Sequence, residues 1–272
     1  MHRAPEEFGA LIVDDLGALV VDSDRSTVNL VRSVLLGARR ISSIGVANAE
    51  MAWELLTQPQ LRLVVIAHAP PLLDAPRLTR ELRRSDLASR KAPVVMLAPD
   101  PTQSQIKAAR DSGVHEVLRK PFTLADLMLR IDTVLNKRRG WVEGIGYVGP
   151  DRRRFNSALL ATHARRRFDK EKLSPENARI GQALKIMKAA IDAIDTDPRQ
   201  ALRALRAQAA ELQDVAVAMA DFGLASTAQR LSTYLDAAAD KGRFNSTDCA
   251  AKLGGLLAAA SPSREPPLRR SA

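Results

Sequence analysis

The sequence predicts two domains, a doubly wound α/β sheet followed by an all-helical bundle. Three observations carry this. Short apolar segments bounded by turn residues alternate with amphipathic helical periods up to about residue 136. From about residue 173 the helical period continues and the strand pattern stops. Between them, residues 137–172 concentrate basic charge around a Gly/Pro cluster.

Five segments read as strands: GALVVDS (17–23), SSIGVAN (42–48), LRLVVIA (61–67), APVVMLA (92–98) and HEVLR (115–119). Their nearly continuous apolar character suits strands covered on both faces. The intervening stretches carry apolar residues at helical spacing: Leu30, Val31, Val34 and Leu35; Met51, Trp53, Leu55 and Leu56; Leu78 and Leu82; Ile106 and Ala109; Leu124, Leu127, Met128, Ile131 and Leu135. Five β-α pairs in this length imply a parallel sheet with helices on both sides. In such sheets the site lies outside the carboxyl ends of the strands.

The second body reads as four helices. Ile180, Leu184, Met187, Ile191 and Ile194 share one face, and Thr196-Asp197-Pro198 supplies a cap and a first-turn proline. A second helix runs from about 199 to 221 with Leu202, Leu205, Leu212, Val215 and Met219 inward. After the break at FGL, a third carries Leu224, Ala228, Leu231 and Leu235, and a short fourth carries Leu253, Leu256 and Leu257. Short connections predict an antiparallel four-helix bundle over 173–260, with a disordered tail at 261–272.

Composition narrows the function classes. The 272 residues are 46% hydrophobic and 26% charged, as in a folded globular protein. No stretch has the length of a membrane span, and the mixed-charge N-terminus reads as neither signal peptide nor anchor, so a cytoplasmic protein without membrane association is expected. The single cysteine, Cys249, excludes an internal disulfide and a cysteine-based zinc cluster, and reads as a buried structural residue. The net charge of +10 is uneven: +1 over residues 1–136, +7 over 137–172, zero over 173–260 and +2 in the tail. A basic linker between two nearly neutral bodies is the consequence.

VVDSD after the first strand, APPLLDA after the third and RKPF after the fifth give residues 17–136 their specific character. With these motifs the segment resembles a bacterial response-regulator receiver domain, whose fold is flavodoxin-like. The resemblance implies a site in which two acids after strand one and an aspartate after strand three hold Mg²⁺. That aspartate takes phosphate from a histidine kinase, and a hydroxyl after strand four and a lysine after strand five complete the set. On this chain the first acid is Asp22, the second position is Ser23, the nucleophile position is Ala67, the hydroxyl position is Ala98, and Lys120 with Pro121 is kept; Val117 stands where an aromatic often lies.

One carboxylate beside a serine is a poor cage for Mg²⁺, and without the aspartate there is no oxygen nucleophile. Alternation along the strand turns His68 away from the site, and Asp74 reads as a turn residue. With no phosphoryl group between them, Asp22 and Lys120 are expected to pair.

QDVAVAMADFG (213–223) resembles the corresponding segment of a histidine phosphotransfer domain, with Gln213 at the position of the phosphorylated histidine. The resemblances together imply a non-catalytic, non-phosphorylatable signalling adaptor without cofactor or metal. Its implied partners are a histidine kinase, a phosphotransfer protein or another regulator, and a homodimer is open. The receiver resemblance points to Arg110, His115, Arg119, Asp126 and Arg130 as the interaction face. YVGPDRRR resembles a segment found after receiver domains, which implies a docking element. The alternative reading is a regulator responding to a nucleotide or nucleic acid. Arg152, Arg153, Arg154, Arg165, Arg166 and Arg167, interleaved with Trp141, Tyr147, Phe155 and Phe168, would bind its phosphates.

Overall fold

A computed structural model describes residues 17–57, 61–137, 139–152, 175–240 and 246–260. The linker residues 153–172, with Arg153, Arg154 and Arg165–Arg167, and the expected disordered tail 261–272 lie outside the described residues. The chain divides into two compact units, Met1–Val142 with Tyr147–Arg154, and Glu143–Gly146 with Phe155–Ala272.

In the first unit the strands are β1 (Ala18–Val21), β2 (Ser43–Val46), β3 (Leu63–Ala67), β4 (Val94–Pro99) and β5 (Glu116–Lys120). They form one sheet in the order β2-β1-β3-β4-β5, with all neighbours parallel. This is the flavodoxin-like order, the predicted fold class. The helices are α1 (Arg25–Arg39), α2 (Ala49–Leu56), α3 (Ala75–Arg84), α4 (Gln103–Ser112) and α5 (Leu124–Asn136).

Two cores sandwich the sheet. Val28, Val31, Val34 and Leu35 of α1 pack with Leu127, Ile131 and Val134 of α5 against one face. Ala52 and Leu56 of α2, Leu78 and Leu82 of α3 and Ala109 of α4 cover the other. β1 is buried at every position, so its side chains can be apolar on both faces.

Helix starts are written locally. Asp24 caps α1, Asn48 caps α2 and Asp74 caps α3, while Thr102 with Gln105 and Thr123 with Asp126 form capping boxes on α4 and α5.

The second unit holds α6 (Pro175–Asp192), α7 (Pro198–Ala218), α8 (Phe222–Asp240) and α9 (Ser246–Ala260). Sequence neighbours pack together and α9 closes on α6, which makes the predicted bundle. Its core includes Met187, Leu205, Leu212, Val215, Leu235 and Leu256. Asp197 caps α7 ahead of Pro198, as expected. Met219 departs from the prediction: it is exposed, because α7 ends at Ala218 and the residues after it turn out of the helical stripe. Cys249 is buried in this core as a free thiol whose pKa is raised by burial.

The described part of the basic linker expected over 137–172 holds regular structure. β6 (Trp141–Glu143) and β7 (Val148–Pro150) form a two-stranded sheet. In the first unit, Tyr147 Oη donates to the Pro150 carbonyl at 2.8 Å, and the Cβ that any other residue would carry at Gly149 would fall 2.9 Å from Gly113 Cα. Gly113 ends α4 with φ of 95°, so glycine is required there by conformation as well as by contact. In the second unit, Glu143 is buried beneath the Gln200 amide, 2.9 Å away, and Ile145 packs on the bundle core.

Candidate functional site

Parallel register brings four strand ends side by side. Val21 pairs with Ile66, Ala67 with Leu97, Ala98 with Arg119 and Pro99 with Lys120. Asp22, Ala67, Ala98 and Lys120 therefore share one edge of the sheet, where the chemistry of such a fold belongs.

Lys120 Nζ lies 2.5 Å from Asp22 Oδ2, and Asp22 Oδ1 accepts from the Asp24 backbone N–H at 3.0 Å. Asp22 is buried, and both of its oxygens are engaged. Ala67 and Ala98, buried to 3% and 1% exposure, bring only methyl groups. Ser23 is exposed, and Lys120 meets Pro121 through a cis peptide.

These residues do not fit a divalent cation. A metal here would have to displace an ammonium from the one buried carboxylate and would find no second one beside it. Among the described residues no group of three histidines, cysteines or acids is placed to hold a metal. The neighbouring acids are engaged locally. Asp24 accepts from Thr27 Oγ1 at 2.6 Å and from the backbone of Ser26 and Thr27, and the Thr27 hydroxyl bond first, then the Ser26 backbone bond, lowers its pKa. Asp74 accepts from Arg77 N at 3.2 Å as the cap of α3. Both acids serve helix starts. His68 is half-buried beyond the end of β3, its backbone N–H donating to the Leu97 carbonyl at 2.7 Å and its Nδ1 buried without a partner among the described residues.

The residues expected to form the interaction face are exposed or half-buried. Arg110, Arg119 and Asp126 are exposed; Arg119 meets Asp100 at 3.0 Å, and Asp126 is held in its capping box. Arg130 reaches Glu116 at 3.0 Å. His115 is half-buried. Its Nδ1 accepts from Val94 N at 3.1 Å and lies 3.4 Å from Arg83 Nη2, and burial first, then Arg83 and Arg139, pushes its pKa down to about 3.

Arg83 is a residue that sequence reasoning missed. It is fully buried, donates twice to the Gly113 carbonyl and once to that of Arg90, and stacks on Trp141 at 5.4 Å. Burial lowers its pKa to about 9, which leaves it charged at neutral pH. Arg90 and Lys91 also lie within cation–π range of Trp141, each at 5.8 Å. Arg139 donates to the His115 carbonyl at 2.9 Å and pairs with Glu116. Arg152 bonds Asp111 at 3.0 Å and lies over the Tyr147 ring. Arg152 thus engages Asp111 through Nη1, while its Nη2 has no hydrogen-bond partner among the described residues.

In the bundle, Gln213 is half-buried on α7. At the corner that follows, Ala220 adopts φ of 55°, and Asp221 Oδ1 accepts from Leu224 N at 2.9 Å to start α8. Capping gives Asp221 in the ADFG stretch a local purpose.

No family model matches the chain, and no curated protein does. Similar solved structures cover its N-terminal part. One is the signal receiver domain of an HD domain-containing protein from Pseudomonas fluorescens, at 23% identity over 44% of this chain and 94% of that one, with a TM-score of 0.40. Another is the Vibrio cholerae chemotaxis protein CheY4, at 18% identity over 44% and 98%, with a TM-score of 0.41. The receiver domain of Francisella response regulator 1452 matches at 24% over 44% and 96%, with a TM-score of 0.38.

Proposed function

We propose that this chain is a non-phosphorylatable, response-regulator-like adaptor of a two-component signalling pathway, acting by protein–protein interaction and not as an enzyme. The observation that carries the reading is the strand-end site. Its nucleophile position is the buried Ala67, and its one buried acid is neutralised by Lys120 at 2.5 Å. Phosphoryl transfer to a receiver needs an oxygen nucleophile and a cation that offsets the phosphoryl charge. Here the nucleophile is missing and the lysine is turned on an internal partner. The scaffold keeps a full core, capped helices and exposed loops, which is what a binding module requires. A histidine kinase, a phosphotransfer protein or another regulator is the partner class consistent with such a scaffold.

Two measurements test this together. Incubation with acetyl phosphate and Mg²⁺ should leave the intact mass unchanged. The full-length protein should also bind a purified kinase, phosphotransfer protein or regulator from its own cell, with an affinity indifferent to acetyl phosphate. A stoichiometric gain of one phosphoryl group would overturn the reading.

A further inference from the structure

The loop from β3 to α3 is built to display one leucine. Ala69 and Leu73 exchange backbone hydrogen bonds at 2.9 and 3.1 Å, closing a tight turn around Pro70, Pro71 and Leu72. Leu73 is buried to 2% exposure and anchors the turn, whereas Leu72 stands 82% exposed. Two prolines and a closed turn leave little conformational entropy to lose when that side chain is bound.

Below this knuckle lie α3 and α4, packed side by side on one face of the sheet. Arg77, Arg80 and Arg84 follow one stripe of α3, and Lys107 and Arg110 face solvent from α4. The acids of these helices are already used. Glu81 pairs with Arg77 at 3.0 Å and Asp111 with Arg152 at 3.0 Å. Arg80, Lys107 and Arg110 form no ion pair among the described residues. The face is therefore cationic beyond what the fold itself neutralises.

We propose that the outer face of α3 and α4, headed by Leu72, docks an acidic surface of a partner protein containing an apolar pocket for that leucine. The inference rests on the adaptor reading and names the surface through which it works. A protein partner is favoured over nucleic acid because neither α3 nor α4 carries an aromatic side chain on which a base could stack, while an aliphatic knuckle needs an apolar pocket.

The test uses the full-length protein with a photo-crosslinking amino acid at position 72, or at position 36 as a control, in the cell that makes it. Leu36 is 65% exposed on α1, which covers the other face of the sheet. The expected result is a protein adduct from position 72 that disappears in the Arg80→Glu/Arg110→Glu background. With the purified partner, Leu72→Ser and the double charge reversal should each weaken binding by about tenfold or more, and wild-type affinity should fall with salt. An adduct from position 36 alone would overturn this surface and leave the adaptor reading standing. A nucleic-acid adduct from position 72 would overturn the partner class. Persistence of the position-72 adduct after charge reversal would overturn the acidic partner. No adduct from either position would overturn the surface and the adaptor reading together.

Discussion

Asp22 and Lys120 are 98 residues apart in sequence, and the parallel register makes them neighbours. Restoring the nucleophile alone, Ala67→Asp, should leave the protein nearly inert to acetyl phosphate by intact mass. The lysine ammonium still holds Asp22, Ser23 adds no carboxylate for Mg²⁺, and Ala98 offers no hydroxyl. Adding Ser23→Asp and Ala98→Thr should produce measurable Mg²⁺ binding and a phosphorylated fraction, since Lys120 is already in place. A second residue-scale prediction concerns His115, whose ordinary pKa of 6.5 is pushed to about 3. Between those values the unfolded chain binds the extra proton, so stability falls as pH drops below 6.5 and is untouched by this group above it. At pH 5 the loss relative to pH 7 should be about 2 kcal/mol. His115→Gln keeps an acceptor and cannot titrate, so urea unfolding at the two pH values should show that part of the difference removed. The Asp22–Lys120 pair was legible in the sequence because strand ends can be counted. The burial of Arg83 was not. It sits in the run RELRR beside the inward Leu82, and its cover comes from Trp141, 58 residues onward, which no local period encodes.

Among the elements, the strands and helices of the first unit follow the sequence closely because period, caps and turns agree, as Asp24, Asn48, Asp74, Thr102 and Thr123 show. The segment after α5 did not follow. Its two short strands carry few apolar residues, and their order depends on a cation-flanked indole and a glycine-to-glycine approach. Trp141→Ala should therefore cost the first unit about 2 kcal/mol, a drop in Tm of roughly 5–10 °C, through lost burial and cation–π contact. Differential scanning calorimetry of the full chain measures it. Arg83→Met should cost more, about 2–4 kcal/mol, because it strips the Gly113 and Arg90 carbonyls of their donor. Brief trypsin digestion should spare the bond after Arg139, which is engaged in an ion pair and a hydrogen bond within the first unit.

At the scale of the molecule, each unit closes its own core. The sheet is covered by α1 to α5, and most buried residues of the bundle come from α6 to α9. The sequence also distributes its probes unequally. Both tryptophans, Trp53 and Trp141, belong to the first unit, so intrinsic indole fluorescence reports on that unit. Far-ultraviolet circular dichroism also senses the long helices of the bundle. Met187 is fully buried in the bundle core. Met187→Ala removes side-chain volume that close-packed neighbours recover only in part, a cost of about 2–4 kcal/mol. Unfolding followed by both probes should then separate. The circular-dichroism transition should gain an early component in the variant, while the tryptophan transition stays where it was in the wild type. Coincident shifts in both probes would mean that the chain unfolds cooperatively despite its division into two units.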